Sequence, residues 1–81
     1  MMNMIKRKYQ ITLYCTTNQY RPVSCIITVE QEDDSNFLKL PSKKMEIINL
    51  GIQKICAKRY WTSKDLTRNH YTRLKARVVK E

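Results

Sequence analysis

The sequence is poor in the residues from which several kinds of site are built. Its 81 residues include one glycine and one histidine. A phosphate-binding loop needs several glycines so that the backbone can approach the phosphates, and that class of site is therefore excluded. The single histidine, His70, has no Ser-His-Asp or Cys-His partners that the sequence can assign to it. We therefore expect a protein that is not an enzyme and that carries no cofactor.

Long apolar runs are also missing. No stretch approaches the roughly 18 consecutive apolar residues of a membrane span, and no apolar segment of signal-peptide length follows the first residues. The cysteines, Cys15, Cys25 and Cys56, are an odd number without a disulfide framework spacing. A zinc site made from them and His70 would lack the close ligand pair that such sites use. These absences predict a cytoplasmic protein with reduced thiols, no bound metal and no membrane partner.

Positive charge is what the sequence has in excess. Sixteen Lys and Arg residues oppose seven Asp and Glu residues, a formal net charge of +9. Solubility requires a net charge of only about 2–8 in a small domain, and a larger excess destabilises a compact fold by self-repulsion. The excess favours a polyanionic partner, although a basic surface without a partner would give the same composition. Scarce Gly, Ala and Pro beside abundant Lys, Ile, Asn and Tyr are typical of AT-rich genomes, including those of phages and mobile elements.

Three segments alternate between apolar and polar residues, as half-buried strands do. The first runs from Lys6 to Cys15, the second from Val23 to Glu30, and the third from Tyr71 to Val79. Residues 16–19 supply a turn between the first two, and Pro22 is expected at the start of its strand because it lacks an N–H group. An acidic loop, Gln31–Asn36, follows the second strand. We expect it to be a solvated connection, with cation binding or repulsion of a nucleic acid as alternatives.

A long helix is predicted between the second and third strands. Ser42 is its expected N-cap, its end falls near Arg59 and Tyr60, and Phe37, Leu38 and Leu40 are expected to attach its entrance to the core. The apolar stripe comprises Met45, Ile48, Ile52 and Ile55. Gly51 interrupts this helix, which indicates close packing against a neighbour. Thr62 and Asp65 form a capping signature that predicts a second, short helix.

The resulting order, β-β-α-short α-β, predicts a single α+β domain over residues 1–81. Its three-stranded antiparallel sheet has the third strand beside the first and the long helix on one face. Met1–Ile5 are predicted as a disordered N-terminal arm. The other sheet face is left open to solvent, and an unpaired edge strand allows either a monomer or an edge-paired dimer.

The open face is the candidate binding surface. It is expected to carry Lys8, Gln10, Thr12 and Tyr14 beside Arg73, Lys75 and Arg77, with Ser24, Ile26 and Thr28 on the far side. Cations bind phosphates, Gln and Thr offer hydrogen bonds, and Tyr14 offers a stacking surface, as in sheets that bind nucleic acids. Charges that merely protect an edge strand from aggregation would look similar, but repulsion between Lys8 and the basic third strand counts against a purely structural role.

A second basic region surrounds the end of the long helix and includes Lys54, Lys58, Arg59, Lys64 and Arg68. Complementing the helix dipole explains it adequately. Alternatively, Lys64 and Arg68 contact phosphates flanking the sheet. We therefore expect a nucleic-acid-binding protein, with DNA favoured over RNA. The alternative is an interaction module or inhibitor that docks on an acidic surface of a host or phage complex, with Trp61, Tyr60 and Ile26 as anchors.

Overall fold

Three antiparallel strands form one open sheet, and the helices pack against one of its faces. The computed structural model describes residues 4–80. Strands β1 (Ile5–Cys15), β2 (Val23–Gln31) and β3 (Tyr71–Val78) lie in the order β2-β1-β3. A 3₁₀ turn (Phe37–Lys39), helix α1 (Pro41–Arg59) and helix α2 (Ser63–Arg68) connect β2 to β3. The predicted α+β class, element order and place of the third strand are confirmed.

The predicted N-terminal arm is partly wrong, since Ile5 begins β1 and its backbone pairs with that of Gln31. Met1–Asn3 lie outside the described residues. The strands themselves follow from the alternation of their side chains: Tyr9, Ile11, Leu13 and Cys15 of the central strand are all buried. Their neighbours along the chain point to the opposite face, because successive side chains of a strand alternate in direction.

Helix α1 faces the sheet with a stripe that is rotated from the predicted one and shares Ile55 with it. Its buried residues are Ile47, Gly51 and Ile55, spaced four apart, whereas Met45 is 56% exposed. The cause is Gly51, where the helix comes so close to the central strand that a Cβ atom would lie 2.4 Å from Ile11 Cγ1. The expectation of close packing at Gly51 is therefore correct. The predicted stripe is rotated from the observed one, with Ile48 and Ile52 at its half-buried margin.

Both ends of α1 show how the local sequence sets a helix boundary. The helix begins at Pro41, with Leu40 as N-cap and no side-chain cap. The predicted Ser42 cap is wrong, because proline at the first position has no N–H group that needs a partner. Leu40 is 47% exposed and does not enter the core, unlike Phe37 and Leu38. The end after Arg59 is as predicted, and α2 has the predicted capping box, in which the Thr62 amide donates to Asp65 Oδ2 at 2.7 Å.

The acidic loop is attached to the core by a buried polar network. The Tyr9 hydroxyl, fully buried, donates to Gln31 Oε1 at 2.7 Å, and Gln31 Nε2 donates to the carbonyls of Asp33 and Ser35, each at 2.7 Å. Gln31, predicted to begin a solvated loop, is instead the last residue of β2 and is only 2% exposed. Its side chain replaces the hydrogen bonds that the loop backbone would otherwise make with water.

Candidate functional site

The face of the sheet opposite the helices carries most of the predicted site residues. Pairing across β1 and β3 sets Gln10 opposite Arg77, Thr12 opposite Lys75 and Tyr14 opposite Arg73. On the other side of β1, the side chains of Ser24, Ile26 and Thr28 lie level with Thr12, Gln10 and Lys8. We call these ten side chains the open face: Lys8, Gln10, Thr12, Tyr14, Ser24, Ile26, Thr28, Arg73, Lys75 and Arg77. Its membership agrees with the sequence prediction.

The side chains of the open face differ in their exposure to solvent. The three β3 cations and Lys8 are exposed, whereas Gln10, Thr12 and Tyr14, which belong to the central strand, are half-buried between the outer strands. The central side chains therefore form the floor of a groove, and Lys75 and Arg77 of β3 form one of its walls. Its volume is about 520 Å³, and its lining includes Gln10, Thr12, Tyr14, Ser24, Lys75 and Arg77.

Tyr14 and Lys75 are in direct contact within this groove. The Lys75 ammonium lies 5.6 Å from the centroid of the Tyr14 ring, a cation–π arrangement. An aromatic ring and a cation are thus held together beside the hydrogen-bonding side chains of Gln10 and Thr12. The groove can offer a planar ligand a stacking surface and an anion a charged partner at the same place.

The register corrects one inference from the sequence. Lys8 lies opposite Thr28 on β2, and its carbonyl accepts from the Val79 amide at 2.9 Å, so its direct neighbour on the β3 side is not a basic residue. The register therefore removes a directly opposite like-charge pair, and Arg77 is the diagonal neighbour of Lys8 on the same face. Each β3 cation is instead opposite an uncharged residue of β1, and this arrangement avoids direct like-charge pairs across the strands.

Lys64 and Arg68 do not join the open face. Both lie on α2, whose Leu66 packs with Leu13 and Ile55 in the core beneath the opposite face of the sheet. Arg68 forms an ion pair with Asp65 of the same helix, with 3.8 Å between Arg68 Nη1 and Asp65 Oδ1. These cations can contact only a ligand that extends around the molecule from the open face or that binds elsewhere.

The three side chains predicted to anchor a protein partner, Ile26, Tyr60 and Trp61, lie apart from one another. Ile26 is 43% exposed on the open face, whereas Tyr60 is 95% exposed at the end of α1, in the helical layer. Trp61 packs against Tyr71, and the Arg59 guanidinium lies 5.3 Å from the centroid of the Trp61 ring. The three side chains do not form one apolar patch.

The outer edge of β2 is partly occupied. Lys54 Nζ, on α1, donates to the Ile26 carbonyl at 2.7 Å. In an antiparallel strand, the N–H and C=O groups of one residue point to the same side. The backbone groups of Ile26 therefore point away from β1, toward the outer edge of the sheet, and its carbonyl already accepts a hydrogen bond from Lys54. A second copy pairing through β2 would have to displace Lys54.

The cysteines differ in their chemistry. Burial raises the pKa of the Cys25 and Cys56 thiols, whereas hydrogen bonding, led by the Thr17 side chain 3.1 Å away, lowers the pKa of Cys15 to about 7. All three thiols are free. Within residues 4–80, no three His, Cys, Asp or Glu side chains come together in a way that could hold a metal ion.

The fold and site together define a class: a three-stranded α+β domain with helices on one face and a basic, grooved, solvent-facing sheet on the other. Comparison of the chain with protein-family models, curated proteins and solved structures finds no match to any of them. Over the described residues, no helix combines the length and apolar character needed to cross a membrane.

Proposed function

We propose that this protein acts by binding nucleic acid on the open face of its sheet. The observation that carries the proposal is the row formed by Arg73, Lys75 and Arg77, which lies directly beside Gln10, Thr12 and Tyr14 of the central strand. Cations alone would suit any polyanion. Stacking and hydrogen-bonding groups within the same groove suit a polyanion that also carries bases.

The charge of the whole chain supports the same function. With a net charge of +9, the protein attracts a polyanion from a distance, and phosphate contacts release the counterions condensed on it. Alternating residues along β3 keep the three cations on one face, so they can bind one backbone together. DNA is the proposed ligand class ahead of RNA. A phage or mobile element is the proposed source of the gene, because the residue usage is typical of AT-rich genomes.

The test is a salt titration of binding to fluorescently labelled nucleic acids, measured by anisotropy between about 50 and 200 mM salt. We expect the logarithm of the association constant to fall linearly with the logarithm of salt concentration. Replacing Arg73, Lys75 and Arg77 together by Gln should reduce the magnitude of the slope by about 2 to 3, at roughly 0.7–0.9 per phosphate contact.

A matched control removes the same charge from the helical layer. Lys39, Lys44 and Lys58 are exposed on the 3₁₀ turn and α1, and their replacement by Gln lowers the net charge equally. If both triple variants lose the same slope, the open face has no special role. Replacing Lys64 and Arg68 tests the flanking contact separately. Absence of binding to every nucleic acid at low salt would refute the proposal and favour an acidic protein partner.

A further inference from the structure

The charge on the open face is one-sided. Its β3 margin presents Arg73, Lys75 and Arg77, whereas its β2 margin presents the uncharged Ser24, Ile26 and Thr28, all of them exposed. Beyond Thr28 the β2 margin becomes acidic at Glu30, which pairs across the sheet with Lys6. The cations that line the groove, Lys75 and Arg77, are therefore on its β3 side, whereas Lys54 reaches the β2 edge only at the Ile26 carbonyl, to which it donates.

This asymmetry distinguishes between two forms of nucleic acid. A groove of duplex DNA is bordered by a phosphate backbone on each side, so a sheet lying in it meets phosphates at both margins. A single strand has one row of phosphates and, beside it, one row of unpaired bases. A row of three cations at the β3 margin, uncharged side chains on β2, and Lys8 as the one cation that the central strand adds to the open face match the single strand.

The floor of the groove supplies what unpaired bases need. Tyr14 offers a half-buried aromatic ring, and Gln10 and Thr12 offer hydrogen bonds. Outside the groove, on β2, Ile26 is an apolar side chain 43% exposed beside Gln10. Bases in a duplex are stacked on one another and cannot lie flat on a tyrosine ring. Bases of a single strand can do so, and stacking on aromatic residues is how sheets bind them.

We propose that the ligand is single-stranded, with its phosphates along β3 and its bases across β1 toward β2. One base stacks on Tyr14 in place of the Lys75 ammonium, which lies over the ring in the free protein and moves to bind an adjacent phosphate. This inference rests on the proposed function and specifies its substrate class.

The experiment compares four labelled probes of about ten nucleotides at one salt concentration: oligo-dT, oligo-U, a duplex, and a single strand of abasic sugar phosphates. We expect the protein to bind the two base-bearing single strands more tightly than the duplex or the abasic strand. Tyr14→Leu should weaken binding to oligo-dT by roughly 5- to 150-fold, the range for loss of one stacked base, and leave binding to the abasic strand unchanged.

Tyr60→Leu is the matched control, because Tyr60 is an equally aromatic side chain, 95% exposed, in the helical layer. Its binding to every probe should equal that of the unaltered protein. Duplex binding as tight as oligo-dT binding, or equal affinity for oligo-dT and the abasic strand, would overturn the single-strand inference while leaving nucleic-acid binding intact. The comparisons between oligo-dT, the duplex and the abasic strand use the unaltered protein, so they remain valid even if Tyr14→Leu does not fold. No binding to any probe would refute both proposals.

Discussion

Replacing Gly51 by Ala should destabilise the protein, although the same change in an exposed helix interior would stabilise it. Alanine is favoured over glycine in a helix by about 1 kcal/mol. At Gly51, however, the added Cβ would lie 2.4, 2.8 and 3.0 Å from Cγ1, Cβ and Cγ2 of Ile11. Ile11 is fully buried on the central strand, so neither side chain nor backbone can move away freely.

The magnitude follows from setting these two effects against each other. Overpacking a dense core costs typically 1–3 kcal/mol, and a contact at 2.4 Å with a β-branched residue of the central strand belongs at the upper end. We therefore expect Gly51→Ala to lower the free energy of unfolding by about 1–2 kcal/mol net. For a domain of this size, each kcal/mol corresponds to a fall in Tm of roughly 4–8 °C.

Urea denaturation measures this free energy from the midpoint, with the m-value as the check on two-state behaviour. A double-mutant cycle with Ile11→Ala isolates the cause, since that change removes two of the three contacting atoms. The combined variant should be about 1 kcal/mol more stable than the sum of the single effects predicts. A stabilised Gly51→Ala, or strict additivity with Ile11→Ala, would refute the close approach of α1 to β1.

Other expectations follow from particular side chains. Tyr9→Phe removes the hydroxyl that donates to the buried Gln31 Oε1, and it should lower the free energy of unfolding, measured by urea denaturation, by about 1–3 kcal/mol. A decrease below about 0.5 kcal/mol would contradict the buried network. Tyr60 has φ 56° and a side chain 95% exposed, so Tyr60→Gly relieves left-handed strain and should raise Tm, whereas a lower Tm would indicate a missing contact. Because hydrogen bonding lowers its pKa to about 7, Cys15 should ionise at lower pH than Cys25 and Cys56, and the midpoint of the ultraviolet thiolate absorbance in a pH titration measures this. Thr17→Val should move that midpoint upward, and an unchanged midpoint would exclude the hydroxyl as its cause.

The strands and the membership of the open face could be predicted because both depend on a period of two. Alternation from Lys6 to Cys15 and from Tyr71 onward places each side chain on one face without knowledge of its partners. The same alternation cannot say which residues lie opposite one another. The absence of a direct pair between Lys8 and a β3 cation depends on the register, which the pairing of Tyr9 with Val78 reveals.

Two other features depend on contacts between distant segments. The rotation of α1 depends on Gly51, which carries no apolar side chain and so adds nothing to a hydrophobic stripe, yet fits against Ile11. Gln31 lies in a run of acidic and polar residues that has the composition of a loop. Its burial depends on its place at the end of β2 and on the buried hydroxyl of Tyr9, on another strand, which donates to its side chain. The one-sided charge of the groove likewise required the strand order β2-β1-β3 as well as the alternation.

The most direct test of binding on the open face is a titration of the ¹⁵N-labelled protein with single-stranded oligo-dT, followed by amide chemical shifts. Binding in the groove predicts that the largest shifts fall in residues 8–14 and 73–77, with smaller changes along the β2 margin and little change in α1. Shifts concentrated in α1 and α2 would place any ligand on the helical layer and contradict the proposed site. A spectrum unchanged at saturating oligonucleotide would contradict nucleic-acid binding itself.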